Sequence, residues 1–363
     1  MAFEPAVVFP GVLFDGAQRY AKDADTATPP PSIIQEMGWS ATLIPEADGG
    51  YGGSFNDLGS LIEGMAARAV NLPILTRCGI VPAMLGAAPA GAAVEGLRAR
   101  IAAGEACVEF AGPLTHRESQ ALPVLSSGTG GWTLAGKLEP VELTAECSHI
   151  LFNAVDADSG AALVIQADAA QLAGRTASYA TVEGRPVQSL DLNGFPLADA
   201  NILARGDAAT AMQSAGWQIA QAAIGADIVC TMNYALAETL RYLQERKQFG
   251  QALAQFQVLR HDAAKLYVIF ESCRCLLMSS LRSMDGAKHP SESAAAFDLL
   301  GLYVREQAIE FAQAAIQLHG GMGMTQETLA ARMATRLIAL AFRYGDAYSH
   351  IKALDEFQGA SGQ

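Results

Sequence analysis

Two short stretches of this chain carry residue types able to hold an anionic group. In YLQERKQFGQALAQFQVLR, residues 242–260, Arg246 is followed by Gln248, Phe249 and Gln257, and in AIQLHGGMGMTQE, residues 315–327, Gln317 precedes the pair Gly320 and Gly321. A guanidinium supplies fixed, charge-assisted donors, and a glycine turn lets backbone N–H groups approach an anion closely. Taken alone, Arg246 also suits a surface helix cation and the glycine pair a helix stop. A third feature is Asp227 in GADIVCTMNYALAETLRYL. At about 100° per residue it shares a helix face with Thr231, Tyr234 and Glu238. A carboxylate against apolar surroundings gains basicity and can take a proton. The same polar stripe also fits a solvated face or a pair at a subunit interface.

The remaining titratable residues offer less. His261 and His319 read as packing or hydrogen-bonding residues, and Glu46 and Asp48 in PEADGGYGG as turn or cap residues. Six cysteines lack paired zinc spacing, and Cys273 and Cys275 fall on different faces of a helical segment, so no metal site is expected. They read as reduced core residues. A net charge of −13 repels polyphosphate and argues against nucleic acid as a partner. The N-terminus has no basic n-region with a cleavage site, and no stretch approaches the roughly 18 uninterrupted apolar residues of a membrane span. A cytoplasmic location without membrane attachment is the expectation.

These residues need elements to hold them. With 51% hydrophobic and 17% charged residues, rich in Ala and poor in aromatics, the chain favours packed helices. From Pro31 to about Ala103 the pattern is helical, and Leu58, Leu61, Ile62 and Met65 form a stripe on a helix spanning Asp57 to Val70. Between Glu105 and Ala204 short apolar runs alternate with Gly, Asp and Ser at the spacing of a small antiparallel β-domain. From Ala208 to Leu354 the helical pattern returns, broken at QFGQALAQF, DGAKHPSE and HGGMGM. Three parts are expected: an N-terminal helical domain over 1–103, a central β-domain over 104–205, and a C-terminal bundle over 206–363.

Three segments together resemble the acyl-CoA dehydrogenase family. MGWSATLIPEADGGYGGSFNDLGSLIEGMAARAVNLPIL at 37–75 is similar to its N-terminal signature, residues 242–266 to its Arg-x-Gln-Phe-Gly and Phe-Gln pattern, and residues 315–327 to its Gln-x-x-Gly-Gly-x-Gly turn. The resemblance covers roughly residues 33 to 350. It implies a mainly α fold with a central β-domain and a C-terminal four-helix bundle that builds a tetramer. It also implies FAD, held at its adenosine diphosphate by Arg246, Gln248, Phe249 and Gln257 of one subunit with Gln317, Gly320 and Gly321 of another. Glu109 to Thr115 and Trp132 to Lys137 are similar to segments that line the flavin ring, although EFAGPLTHRES departs from the family's Gly-Ser-Asp turn.

The family's α,β-dehydrogenation of acyl-CoA needs a carboxylate to take the α proton while the β hydrogen leaves as hydride to the flavin. One usual position of that base is occupied here by Tyr344 and the other by Ala220. Asp227, one to two turns further along, is the candidate base. With both usual positions altered, the chain looks like one subunit of the heteromeric branch, which acts on CoA thioesters of steroid side chains and other bulky acids. The expected partners are an acyl-CoA substrate, an electron-transfer flavoprotein as acceptor, and a homologous second subunit, or further copies of this chain in a homotetramer. A non-catalytic subunit that completes the FAD site while another chain supplies the carboxylate is the alternative.

Overall fold

The computed structural model describes residues 3–24, 29–115, 120–128, 131–286, 290–325 and 327–361. His116 to Ser119, within the departing EFAGPLTHRES, lie outside them. The chain divides into two compact units, one built from residues 1–29, 59–71 and 221–363, the other from 30–58 and 72–220. Each gathers helices from distant parts of the sequence.

Helices α1 (Val12–Asp23), α2 (Ile33–Glu36), α3 (Phe55–Ala66), α4 (Val81–Gly86) and α5 (Ala92–Ala102) precede the strands, with a π-helix at Leu75–Ile80 leading into α4. The stripe Leu58, Leu61, Ile62 and Met65 is buried as its spacing requires. Small residues on α3 bring the N-terminal segment close: a Cβ on Gly59 would lie 2.6 Å from the Phe9 ring, and one on Gly64 2.5 Å from Ala17 Cβ. Glu63 between them accepts the backbone N–H of Val8 (2.9 Å) and of Phe9 (2.6 Å), and the Ser60 hydroxyl donates to Phe9 O (2.8 Å).

The second unit carries the sheets, from strands β1 (Val108–Ala111), β2 (Val124–Gly128), β3 (Gly131–Ala135), β4 (Lys137–Val141), β5 (His149–Asp156), β6 (Ala162–Asp168), β7 (Thr176–Ala180), β8 (Pro186–Asp191), β9 (Phe195–Leu197) and β10 (Ile202–Arg205). One sheet runs β10-β6-β5-β2-β3-β9 with β1 also on β5; the other runs β4-β8-β7. Most pairings are antiparallel as expected, but β1 and β2 both pair with β5 in parallel. Regular spacing of apolar runs suggests hairpins, but it carries no information on the long crossovers that parallel neighbours need. β5 is buried from His149 to Ala154, which fits a central strand covered on both faces.

Helix α6 (Asp207–Glu245) runs 39 residues, about 58 Å at 1.5 Å per residue. By length and composition it passes for a membrane span, yet 89% of its most apolar window is buried inside the molecule, as in a core helix. A hairpin, β11 (Lys247–Gln248) and β12 (Gln251–Ala252), then leads to α7 (Gln257–Gly286), α8 (Pro290–His319), α9 (Leu329–Ala341) and α10 (Ala347–Ser361). On α8, buried Phe297, Leu300, Val304, Ala308, Phe311, Ala315 and Leu318 recur at steps of three and four, forming the seam of the bundle. The helical pattern has one further break, at 342–346, where Tyr344 (φ 50°) and Gly345 (φ 111°) turn the chain from α9 into α10.

Helix α10 reaches α8 through Gly301, where a Cβ would lie 2.5 Å from His350 Cε1, and His350 Nδ1 sits 2.9 Å from Asp298 Oδ1. Gly301→Ala should therefore lower stability by about 1–3 kcal/mol through overpacking. Gly96→Ala, in α5 with nothing within 4 Å of its Cβ, should instead raise it, by about 0.5–1 kcal/mol. Thermal unfolding of the two variants checks both signs.

Candidate functional site

The two segments singled out in sequence approach each other where α6 and α8 end. Tyr242, one turn before Arg246 on α6, stacks on His319 at the end of α8 with ring centroids 4.6 Å apart, and its hydroxyl donates to His319 O (3.2 Å). His319 is followed at once by Gly320, whose φ of 57° ends the helix in a left-handed turn that glycine adopts freely. Arg246, Gln248, Phe249, Gln257, Gln317, Gly320 and Gly321 are all exposed. Their side chains and amides stand free of the core, placed to meet a ligand or another subunit.

The hairpin after Arg246 has unusual chemistry. Gln248 pairs with Gln251, leaving Phe249 and Gly250 as a two-residue loop with φ of 52° and 81°. Positive φ at both central residues is the mark of a type I′ turn, whose first position normally favours Asn, Asp or Gly. A bulky aromatic there is strained. Phe249 is nevertheless 88% exposed, touching Phe256 edge-on at 6.1 Å. An aromatic ring held outward in a disfavoured conformation fits a surface awaiting a flat ligand or a partner chain.

Asp227 occupies different surroundings from those of a free base. Arg336 of α9 grips it in two-pronged fashion, Nε to Oδ1 at 2.8 Å and Nη2 to Oδ2 at 2.7 Å, and Thr231 Oγ1 donates to Oδ1 at 3.2 Å. The Arg336 and Asp227 side chains are 9% and 13% exposed. The other arm of Arg336 donates to Val70 O (3.0 Å) and to Asn71 Oδ1, tying α6 and α9 to the chain that follows α3. Both carboxylate oxygens are thus engaged. Of the polar stripe, Tyr234 instead points its hydroxyl at Glu63 (3.4 Å), and Glu238 pairs with Arg241. Arg336 was missed in sequence. Its signal was an arginine set among the apolar positions Met333, Ala334, Leu337 and Leu340 of α9, where a lone cation must find an anion.

The residue after one position at which the resemblance places a base reaches the backbone of the other. Gln221, next to Ala220, donates through Nε2 to Tyr344 O at 3.0 Å. Arg305 Nη2 donates to Arg343 O (2.8 Å) and also reaches Tyr344 O (3.4 Å), so the loop carbonyls are pinned from α6 and α8. The buried Gln221 Oε1 meets no hydrogen-bond donor among the described residues. Neither Ala220 nor Tyr344 has a carboxylate, and the nearest one in sequence, Asp346, caps α10 by accepting the Ser349 N–H at 2.9 Å.

Comparison with known proteins completes the picture. The model for the acyl-CoA dehydrogenase C-terminal domain matches residues 210–347. Acyl-CoA dehydrogenase IpdE2 of Mycolicibacterium smegmatis is 26% identical over 306 residues, 81% of this chain and 76% of that protein. A caffeyl-CoA reductase-Etf complex subunit, CarC of Acetobacterium woodii, is 32% identical over 99 residues, 27% of this chain and only 25% of that relative's length. Among solved structures, a Tcur3481-Tcur3483 steroid ACAD variant superposes with TM-score 0.77 at 21% identity, covering 96% of this chain and 95% of that one. The ChsE4-ChsE5 complex from Mycobacterium tuberculosis does so with TM-score 0.79 at 16% identity, covering 98% and 99%. These two likenesses establish the fold. Residues 210–347 thus match the acyl-CoA dehydrogenase C-terminal domain, and the chain as a whole is similar in sequence to an acyl-CoA dehydrogenase along most of its length and has the fold of these two structures.

Proposed function

We propose that the chain is one subunit of a heteromeric acyl-CoA dehydrogenase, in which it grips the diphosphate of FAD while a homologous partner supplies the carboxylate that removes the α proton. The observation that carries this reading is the pairing of Asp227. A base must have a lone pair free for the substrate, and here both oxygens face one guanidinium. Ala220 and Tyr344 leave the remaining positions without a carboxylate. When bound, FAD supplies the acceptor for the β hydride. Arg246 and the amides of the Gly320–Gly321 turn offer the positive charge and donors that an acidic protein must concentrate locally to hold the diphosphate. Gln248, Phe249, Gln257 and Gln317 complete that rim, and their exposure supports a cofactor shared with a second subunit.

The substrate is proposed to be the CoA thioester of a steroid side chain or a comparably bulky acid, a reading supported by the steroid ACAD among the structures of this fold. An electron-transfer flavoprotein is the proposed acceptor, since the CarC relative is named as part of an Etf complex.

Kinetics of the co-expressed, flavin-loaded enzyme separate this reading from one in which Asp227 is the base. Asp227→Asn should leave turnover per bound flavin unchanged and cost about 3–5 kcal/mol of stability, because Arg336 is left as an uncompensated buried charge. A fall in turnover of about 10²–10⁴-fold at full flavin content would return the base to Asp227. Activity of this chain without any partner would refute the heteromeric assignment. Arg246→Ala should weaken FAD binding by about 1.5–3 kcal/mol, roughly tenfold to a hundredfold, as read by flavin titration of the assembled enzyme. Phe249→Asn, which suits the left-handed turn, should raise thermal stability while lowering flavin retention.

A further inference from the structure

The unit that carries the sheets buries a second polar cluster, centred on Arg77. Arg77, within the π-helix Leu75–Ile80, pairs through Nε with Glu109 Oε2 on β1 at 2.8 Å. Its Nη2 donates to Thr144 Oγ1 at 2.7 Å and to Cys147 Sγ at 3.1 Å. Cys147 Sγ in turn lies 3.5 Å from Cys107 Sγ and 3.3 Å from Thr144 Oγ1. The two cysteines stand at the heads of the parallel strands β1 and β5, held in register because the N–H groups of Ser148 (2.9 Å) and His149 (3.2 Å) both donate to Cys107 O. Cys107 and Cys147 are 5% and 7% exposed, shielded but reachable by a small reagent. π-Helical segments recur at functional sites, and this one aims its only cation at a thiol.

We propose that Cys107 and Cys147 form a redox pair that responds to a hydroperoxide, Cys147 as the attacking thiol and Cys107 as the resolving one. The Cys147 thiolate attacks one peroxide oxygen: the O–O bond breaks, a hydroxide or alkoxide leaves, and sulfur is oxidised to the sulfenic acid. The Cys107 thiol then displaces that hydroxyl, the S–S bond forms, and water departs with the thiol proton. The sulfurs need close only from contact to the bonding distance of about 2.05 Å, with the strand heads already side by side. The Arg77 guanidinium, 3.1 Å from Cys147 Sγ, and the Thr144 hydroxyl, 3.3 Å from it, assign the order of attack. The Cys107 hydrogen bond, helped by Arg77 and Thr144, brings the Cys147 thiol down to about 6, whereas that same hydrogen bond and burial push Cys107 up. Burial likewise raises Cys78 and Cys230. A pair of this kind in a reducing compartment acts as a reversible sensor and not as a permanent staple.

The flavin-loaded enzyme is treated with hydrogen peroxide, its free thiols are alkylated, and its peptides are mapped by mass spectrometry. The expected product is a Cys107–Cys147 cross-linked peptide lighter by two hydrogens, reversed by dithiothreitol. Cys107→Ser should instead accumulate a sulfenic acid at Cys147 that dimedone traps, and Cys147→Ser should leave Cys107 a free thiol. Oxidation confined to the exposed Cys275, with Cys107 and Cys147 both alkylated in the wild type, would overturn the proposal, as would equal dimedone labelling of wild type and Cys107→Ser. The wild-type peptide map decides the pairing even where a variant fails to fold.

Discussion

Charge taken into an apolar helix bundle has to be matched on the spot, because the cost of leaving one ion alone there exceeds what packing returns. The Asp227–Arg336 pair meets that requirement with two parallel hydrogen bonds, and the remaining donors of Arg336 go to Val70 O and Asn71. Three pieces of chain are thereby fixed to one another: the middle of α6, the middle of α9, and Val70–Asn71 in the segment after α3. The same rule operates in the other unit, where Arg77 is buried only because Glu109, Thr144 and Cys147 surround it. Burial pushes the Glu109 carboxyl above the ordinary carboxylate range, with the Arg77 guanidinium opposing it.

Once the interior charges are matched internally, the cofactor's charge has to be received elsewhere. The exposed ends of α6 and α8 carry Arg246 and the Gly320–Gly321 turn, and it is there that the chain accepts backbone strain at Phe249. Strain of that kind persists where the surrounding structure over-determines it, and the neighbouring Arg246 and Gly320–Gly321 turn give it a chemical setting. On the proposed reading one chain brings the anion grip and another brings the base. Division of labour follows from what each side chain is already doing: Asp227 is part of a strut, and the loop around Tyr344 is held by its carbonyl oxygens.

Much of the architecture is legible in residue order. The stripe on α3 follows from the 3.6-residue period, the breaks at the hairpin and at His319 follow from glycine, and the change from helices to strands between Ala102 and Val108 follows from shortening apolar runs. Pairing direction is less accessible. β1 and β2 reach β5 across long connections, and nothing in their four or five residues says parallel. β7, with every residue exposed, and β9, three residues long, lack the alternation that would mark them. The turn at 342–346 escapes notice because Tyr344 takes a left-handed conformation that its side chain does not advertise. In the site, the types and spacing of the residues proposed to hold FAD were visible, while the fate of Asp227 depended on an arginine 109 residues away. Long-range charge pairing has no local signature beyond a cation on an apolar face.

The central claim is that one chain holds only part of the flavin's grip and that the rest comes from a neighbour. Native mass spectrometry of this chain, purified with and without a co-expressed homologous subunit in the presence of FAD, tests it most directly. The account predicts that FAD appears solely on assembled species containing both chains and never on the lone subunit. A monomer carrying one tightly held FAD would contradict it.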